Sequence, residues 1–229
     1  FVDQNIIQPL SYLLTGTWEG TEGDDNIEGA SVALGWGGGI ITKGGNDTVT
    51  AAAFNLKVID TTGNLAVYGA AGYTEIYKSG DGNLTYTGLA GALKVEHMGE
   101  TGNVTLNSVA LSSTALRQGL SGDLTAGSVA AYTNFKLYTQ SGDLDFTGAA
   151  AYLNLERRHN GYSNSSGNLH IDGAGAWVTA YSDVDTGDMT GFTLSGNGVF
   201  KRIGVDSNVD LNLVGINNEV YHQSTYGDT

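Results

Sequence analysis

Two short acidic segments hold the residue types best suited to bind an ion. Gly20-Thr21-Glu22-Gly23-Asp24-Asp25-Asn26-Ile27-Glu28-Gly29 and Gly44-Gly45-Asn46-Asp47-Thr48-Val49 both set aspartates among glycines, and Asp25 and Asp47 are 22 residues apart. Glycines turn a backbone sharply, so that its carbonyls can join carboxylates from a neighbouring turn around a hard cation such as calcium. The offset predicts that Asp25 stacks beneath Asp47, which makes this pair the candidate calcium ligands. The competing reading is that both aspartates only form Asx turns.

Other chemistry is sparse. His97, His159, His170 and His222 are dispersed and share no metal-ligand spacing. The chain has no cysteine, no phosphate loop and no Gly-x-Ser-x-Gly elbow. Without an acid, base and nucleophile brought together, the expectation is a protein that is not an enzyme. Arg157-Arg158-His159 is the densest basic stretch, expected to be a solvated cluster.

The elements that must position these residues follow from a repeat. Gly-(Asn/Asp)-(Leu/Val/Met) recurs with its glycine at Gly63, Gly82, Gly102, Gly122, Gly142, Gly167 and Gly187, and Ser207 takes the glycine's place in the last copy. The spacings are 19, 20, 20, 20, 25, 20 and 20 residues. One apolar row runs through Val67, Tyr86, Leu106, Ala126, Phe146, Ile171 and Leu211, a second through Ile76, Val95, Ala115, Phe135, Leu155, Ala180 and Phe200. A row of Ala71, Ala90, Ala110, Ala130 and Ala150 lies between them, and Thr85, Thr105, Thr125 and Asp145 take outward positions. Alternation broken by turns predicts two short strands per coil. A unit this small buries its apolar face only against copies of itself, so the coils must stack.

The expected fold is therefore all-β: a single elongated β-solenoid of about ten coils of ~20 residues, roughly 45–50 Å long at a coil spacing of about 4.8 Å. It is read as one domain over residues 1–229: a lead-in strand or cap (1–19), two coils of different character (20–50), regular repeats (60–203) and a terminal coil or cap (204–229). Extra residues between Gly142 and Gly167 are expected to bulge outward over residues 157–162.

Composition bounds the partners. Of 229 residues 35 are glycine and one is proline, which excludes collagen, and a hydrophobic share of 40% argues against a disordered linker. A formal charge of −14 with ten Lys plus Arg argues against nucleic acid. No run of eighteen apolar residues is present. The expectation is a secreted, extracellular protein, and the lack of an initiator Met suggests a processed or excised piece.

Three surface rows invite a binding role. Asn64, Asn83, Asn103, Asp123, Asp143, Asn168, Asp188 and Asn208 form an Asx row, expected to act as a structural ladder of stacked side chains. Tyr132, Tyr152 and Trp177 occupy equivalent places in consecutive coils. They are read as a surface aromatic stripe able to meet sugar or lipid, or as a packed ladder of the solenoid. The threonine array is interrupted by Asn107, Gly127, Asp145 and His170, which weakens an ice-binding face.

Residues 12–203 resemble the N-terminal glycine-rich repeat region of the multifunctional autoprocessing RTX (MARTX) toxins. The likeness is carried by Asp60-Thr61-Thr62-Gly63-Asn64-Leu65, Gly69-Ala70-Ala71-Gly72-Tyr73, Lys78-Ser79-Gly80-Asp81-Gly82-Asn83 and Leu13-Leu14-Thr15-Gly16, with the longer unit at residues 157–167. The two acidic segments are similar to the calcium nonapeptide of β-roll proteins. The resemblance implies export from the cell and a non-enzymatic module that associates with a host membrane or cell surface to support effector delivery. This sequence departs from the family where Ser108-Val109-Ala110 and Ser128-Val129-Ala130 replace its usual Gly-Ala-Gly block, and after Arg202. The alternative partner is another copy of the chain, as head-to-tail stacking of solenoid ends would build an extracellular fibre or adhesin.

Overall fold

A computed structural model describes residues 4–7, 18–31, 39–161 and 164–226, with the side chains of 4–7 and 29–31 outside the description. The expected lead-in strand or cap over residues 1–19 is therefore described only at 4–7 and 18–19, and Leu13-Leu14-Thr15-Gly16 and Tyr162 lie outside the described residues. Among the described residues there is no helix. The strands are β1 (Gln4–Ile7), β2 (Trp18–Glu19), β3 (Asp25–Ser31), β4 (Ile40–Lys43), β5 (Asn46–Asp60), β6 (Asn64–Lys78) and β7 (Leu84–His97). They continue as β8 (Val104–Ser121), β9 (Leu124–Ser141), β10 (Leu144–Arg158), β11 (Leu169–Asp183), β12 (Met189–Asp206) and β13 (Val209–Tyr226). All pair in parallel in one sheet of order β1-β3-β5-β6-β7-β8-β9-β10-β11-β12-β13, with β2 and β4 completing the second side of the first coils. This is the β-solenoid of about ten turns that the repeat predicts.

Each coil from β5 onward is one strand of 14 to 18 residues. The expected two short strands are the two arms of this strand, joined at a corner. One residue per coil drops out of the pairing there: Phe54, Gly72, Gly91, Leu111, Ala131, Ala151, Ala176, Gly196 and Ile216. The two apolar rows face each other from the two arms. Val67, Leu106 and Phe146 on one side, and Ile76, Phe135 and Leu155 on the other, are wholly buried. Phe135 of one coil meets Phe146 of the next with ring centroids 6.0 Å apart. The alanine row lies inside the corner, where Ala90, Ala110, Ala130 and Ala150 are buried and the narrowing wedge has room for little more than a methyl group.

The other end of each coil is a turn closed by the repeat glycine. Gly63, Gly82, Gly102, Gly122, Gly142, Gly167 and Gly187 all hold positive φ, and a Cβ on any of them would collide with the backbone of the glycine one coil earlier. Only glycine meets both demands, which is why the repeat is written around it.

Candidate functional site

The feature that sequence reasoning missed runs along the inner side of this turn. Two residues past the second apolar row, each coil sends one more side chain inward: Asp60, Lys78, His97, Arg117, Leu137, Arg157, Ser182 and Arg202, all with no exposed surface. Their stacking follows from the strand register. Asp60 pairs with the Lys78 ammonium and also accepts from Thr42 Oγ1 at 2.8 Å. His97 donates from Nε2 to the Gly82 carbonyl at 2.6 Å, and its Nδ1 accepts the Gly99 N–H at 3.2 Å. That pair of bonds fits the neutral ring. Burial, with Arg117 and Lys78 nearby, pushes its pKa down to about 4.

The three arginines have no carboxylate partner in the column. Arg117 donates to the carbonyls of Gly102 (2.7 Å), Gly99 (2.8 Å), Ser121 (2.5 Å) and Gln118. Arg157 donates to Gly142 (2.8 Å), Thr139 (2.9 Å), Ser166 (2.7 Å) and Arg158 (2.6 Å). Arg202 reaches Val184 (2.9 Å), Gly187 (3.0 and 2.6 Å) and Ile203. Every guanidinium thus ties carbonyls of its own turn to those of the turn before. Burial lowers the pKa of Arg117 and Arg157 to about 10, which leaves both charged at neutral pH. This corrects the reading of Arg157-Arg158-His159 as a solvated cluster and of Arg157 as part of the bulge. Strand parity turns Arg157 into the core, while Arg158 lies outside with its guanidinium 4.5 Å from the Tyr181 ring centroid.

Asp25 and Asp47 come together as the 22-residue offset implies. The Asp25 N–H donates to Asp47 Oδ1 at 2.9 Å, and both side chains are buried. Asp25 in turn accepts from the Thr21 N–H at 2.6 Å and the Thr21 hydroxyl at 3.1 Å. Three of the four carboxylate oxygens therefore serve turns, and only Asp47 Oδ2 has no hydrogen-bond partner. Burial, with Asp60 and Asp25 nearby, raises the Asp47 carboxyl to about 7. A calcium ion would take Asp47 Oδ2 and compete with Thr21 for Asp25.

The Asx row binds differently from a ladder of stacked amides. The side-chain oxygen of each residue accepts the backbone N–H of its counterpart in the next coil. Asn64 accepts from Asn83 (2.8 Å), Asn103 from Asp123 (2.9 Å), Asp123 from Asp143 (2.9 Å), Asp143 from Asn168 (2.7 Å) and Asp188 from Asn208 (2.9 Å). A carboxylate performs this task as well as an amide, so the row mixes Asn and Asp freely.

Tyr132, Tyr152 and Trp177 stand just past the corner and point outward, Tyr152 and Trp177 about half exposed. The Tyr152 and Trp177 rings stack in parallel, with centroids 4.8 Å apart and planes 4° apart. The facing surfaces of the two rings cover each other, and the pair stands about half exposed.

These aromatics belong to a wider apolar strip. Leu89, Val109, Val129, Leu194 and Val214 on one side of the corner, and Leu111 and Ile216 on it, are also exposed. From β5 to β13 neither the corner residues, nor this row, nor the aromatic row contains a charged residue. Beside the strip runs a shallow groove of about 470 Å³, walled by Thr87, Asn107 and Thr147 on one side and Leu89, Val109 and Val129 on the other. Ion pairs gather on the outer side of the second arm. There Lys94 pairs with Glu75 and Glu96 at 3.1 Å, and Glu156 pairs with Lys136 at 3.3 Å and with Arg158. No family model, curated protein or solved structure matches the chain.

Proposed function

We propose that this chain is a non-enzymatic, secreted solenoid module that lies along a membrane or cell surface through its uncharged corner, the role that the resemblance to MARTX repeats implies. The observation behind this reading is the corner strip: exposed apolar and aromatic side chains set among small and neutral polar ones, free of charge, on a chain whose formal charge is −14. An apolar strip of this extent exposed to water is the mark of a contact surface. Tyrosine and tryptophan with open edges suit the polar–apolar boundary of a bilayer. The charged second arm would then face water, and the net negative charge favours neutral lipid over anionic lipid.

Calcium belongs to the same proposal, as a clamp on the first coils at Asp25 and Asp47. Flotation with zwitterionic and anionic vesicles, with calcium and with chelator, tests both parts. Recruitment to zwitterionic vesicles is expected. The variant carrying Leu111→Ser, Tyr152→Ser and Trp177→Ser should bind at least about tenfold more weakly, since each half-exposed apolar side chain contributes roughly 0.5–1 kcal/mol. A wild-type chain that ignores every vesicle, or a triple variant that floats unchanged, would remove the membrane reading. Recruitment and melting temperature that are indifferent to chelation would remove calcium and leave Asp25 and Asp47 as turn formers.

A further inference from the structure

Among the described residues one ion pair is wholly shut away from water. The side chains of Lys78 and Asp60 have no exposed surface, whereas both members of every other pair are at least partly open to solvent. The two residues are register partners in β5 and β6, one coil apart. Asp60 is the one acceptor that the Lys78 ammonium finds among the described residues, although an ammonium carries three N–H donors. Burial of such a pair is costly, because its attraction has to offset the desolvation of two ions.

A third buried group completes the arrangement. Ile40 and Ile41 in β4 pair with Val58 and Ile59, but Asp60 pairs with Lys43, so Thr42 is an extra residue in the register. Just beyond it Lys43 holds a left-handed φ of 68°. Such a bulge re-aims a side chain. Here it turns the Thr42 hydroxyl inward, where it donates to Asp60 Oδ1 at 2.8 Å. Lys78 Nζ lies against the other oxygen, Oδ2. We propose that Lys78 and Asp60 condense to a side-chain amide, a covalent bond that joins β5 to β6.

The ammonium gives a proton to the carboxylate, which leaves a neutral amine beside a neutral acid. The Nζ lone pair attacks Asp60 Cγ, and the charge that gathers on Oδ1 meets the Thr42 hydroxyl, placed as an oxyanion donor would be. A second proton passes from Nζ to Oδ2, the Cγ–Oδ2 bond breaks and one water leaves. Nothing is oxidised or reduced, and no co-reactant is consumed. The strand register supplies the proximity that two free groups in water lack. The dry surroundings favour a neutral amide over two buried ions, and a single N–H replaces the three donors of the ammonium. The link ties residues 18 apart and so restrains the unfolded chain.

Mass spectrometry of the 229-residue chain, kept folded until its mass is constant and then denatured, tests the proposal. The mass should be lower by one water than the sequence requires. Glu75 lies between the two residues, so cleavage after glutamate should release residues 29–75 and 76–96 as one branched species. Lys78→Arg keeps the positive charge but offers no nucleophilic amine, and it should show the full mass and separate peptides. Thr42→Val should slow the loss of water at least about tenfold, and an unchanged rate would remove Thr42 from the reaction. A wild-type chain whose two peptides separate, or a Lys78→Arg chain that still loses the water, would overturn the link. The joined peptides are read on the wild-type protein, so a variant that fails to fold leaves that test intact.

Discussion

Arg117, Arg157 and Arg202 occupy places where a globular protein would ordinarily put leucine, and Leu137 does take one of them. The reason lies in the turns: a coil closed by glycines leaves carbonyls pointing inward, and a buried carbonyl without a donor costs about 1–3 kcal/mol. One guanidinium satisfies several at once with its planar set of N–H groups. Replacing Arg157 with Met keeps much of the volume but leaves four carbonyl partners without that donor. We expect a loss of roughly 3 kcal/mol or more, seen as a lower urea midpoint. Lysine should rescue it only in part, because an ammonium cannot span two turns.

Charge along this column alternates with neutrality. Lys78, Arg117, Arg157 and Arg202 are separated by His97, Leu137 and Ser182, and Asp60 neutralises Lys78 at the first step. Protonating His97 would set three cations in consecutive coils. With a folded pKa of about 4, below the ordinary 6.5, its contribution is complete above pH 6.5 and is lost as the pH falls through 4. Asp47 acts in the opposite sense: raised to about 7, its contribution is present below pH 3.8 and is lost as the pH rises through 7. Urea midpoints measured from pH 7 to 4 should therefore fall less in His97→Gln than in the wild type. Parallel curves for the two proteins would place the acid sensitivity elsewhere.

At the scale of the element, the bent strand explains what was legible in the sequence and what was not. The glycine spacing gave the coil, and the two apolar rows gave its interior, because both are simple periodic patterns. The corner was harder to see: its row mixes Phe54, Gly72, Leu111 and Ala131, and only the pairing shows that they share one edge. The cationic column was hidden by its variety, as Lys, His, Arg, Leu and Ser share no propensity. Parity alone could have found it, since these residues lie two beyond Ile76, Val95, Ala115, Phe135 and Leu155 and so face the same way. The Asx row was visible, but the mode of bonding was not. Because a side-chain oxygen does the work there, Asp123→Asn should leave the melting temperature within about 1 °C of wild type. Asp123→Ala should lower the stability by about 1 kcal/mol, or some 2–4 °C.

At the scale of the molecule, three faces have separate tasks. The corner is apolar and uncharged, the outer side of the second arm carries ion pairs of both signs, and the turn end, closed by glycine and by guanidinium within, carries a row of carboxylates that includes Asp123, Asp143 and Asp188. A solenoid of this kind has little freedom to rearrange, since each coil is held by the one before and the one after. Binding would therefore engage a preformed surface, with little ordering cost. The cross-section is amphipathic in the manner of a surface-lying helix, but the pattern is spread over stacked strands and leaves no long apolar segment in the sequence. That is why the strip could not be read as a continuous run of residues.

The alternation of Arg117, Leu137, Arg157, Ser182 and Arg202 also bears on how such a chain could have lengthened. Each guanidinium draws on the carbonyls of two successive turns, and arginines in adjacent coils would repel each other across a dry spacing of about 4.8 Å. Gain or loss of a single coil within this region would put two arginines, or two residues without a guanidinium, side by side. Gain or loss of a pair would preserve the order. The unit that preserves the order of this stretch is thus a doublet of coils, about forty residues long, although the glycine repeat has a period of twenty.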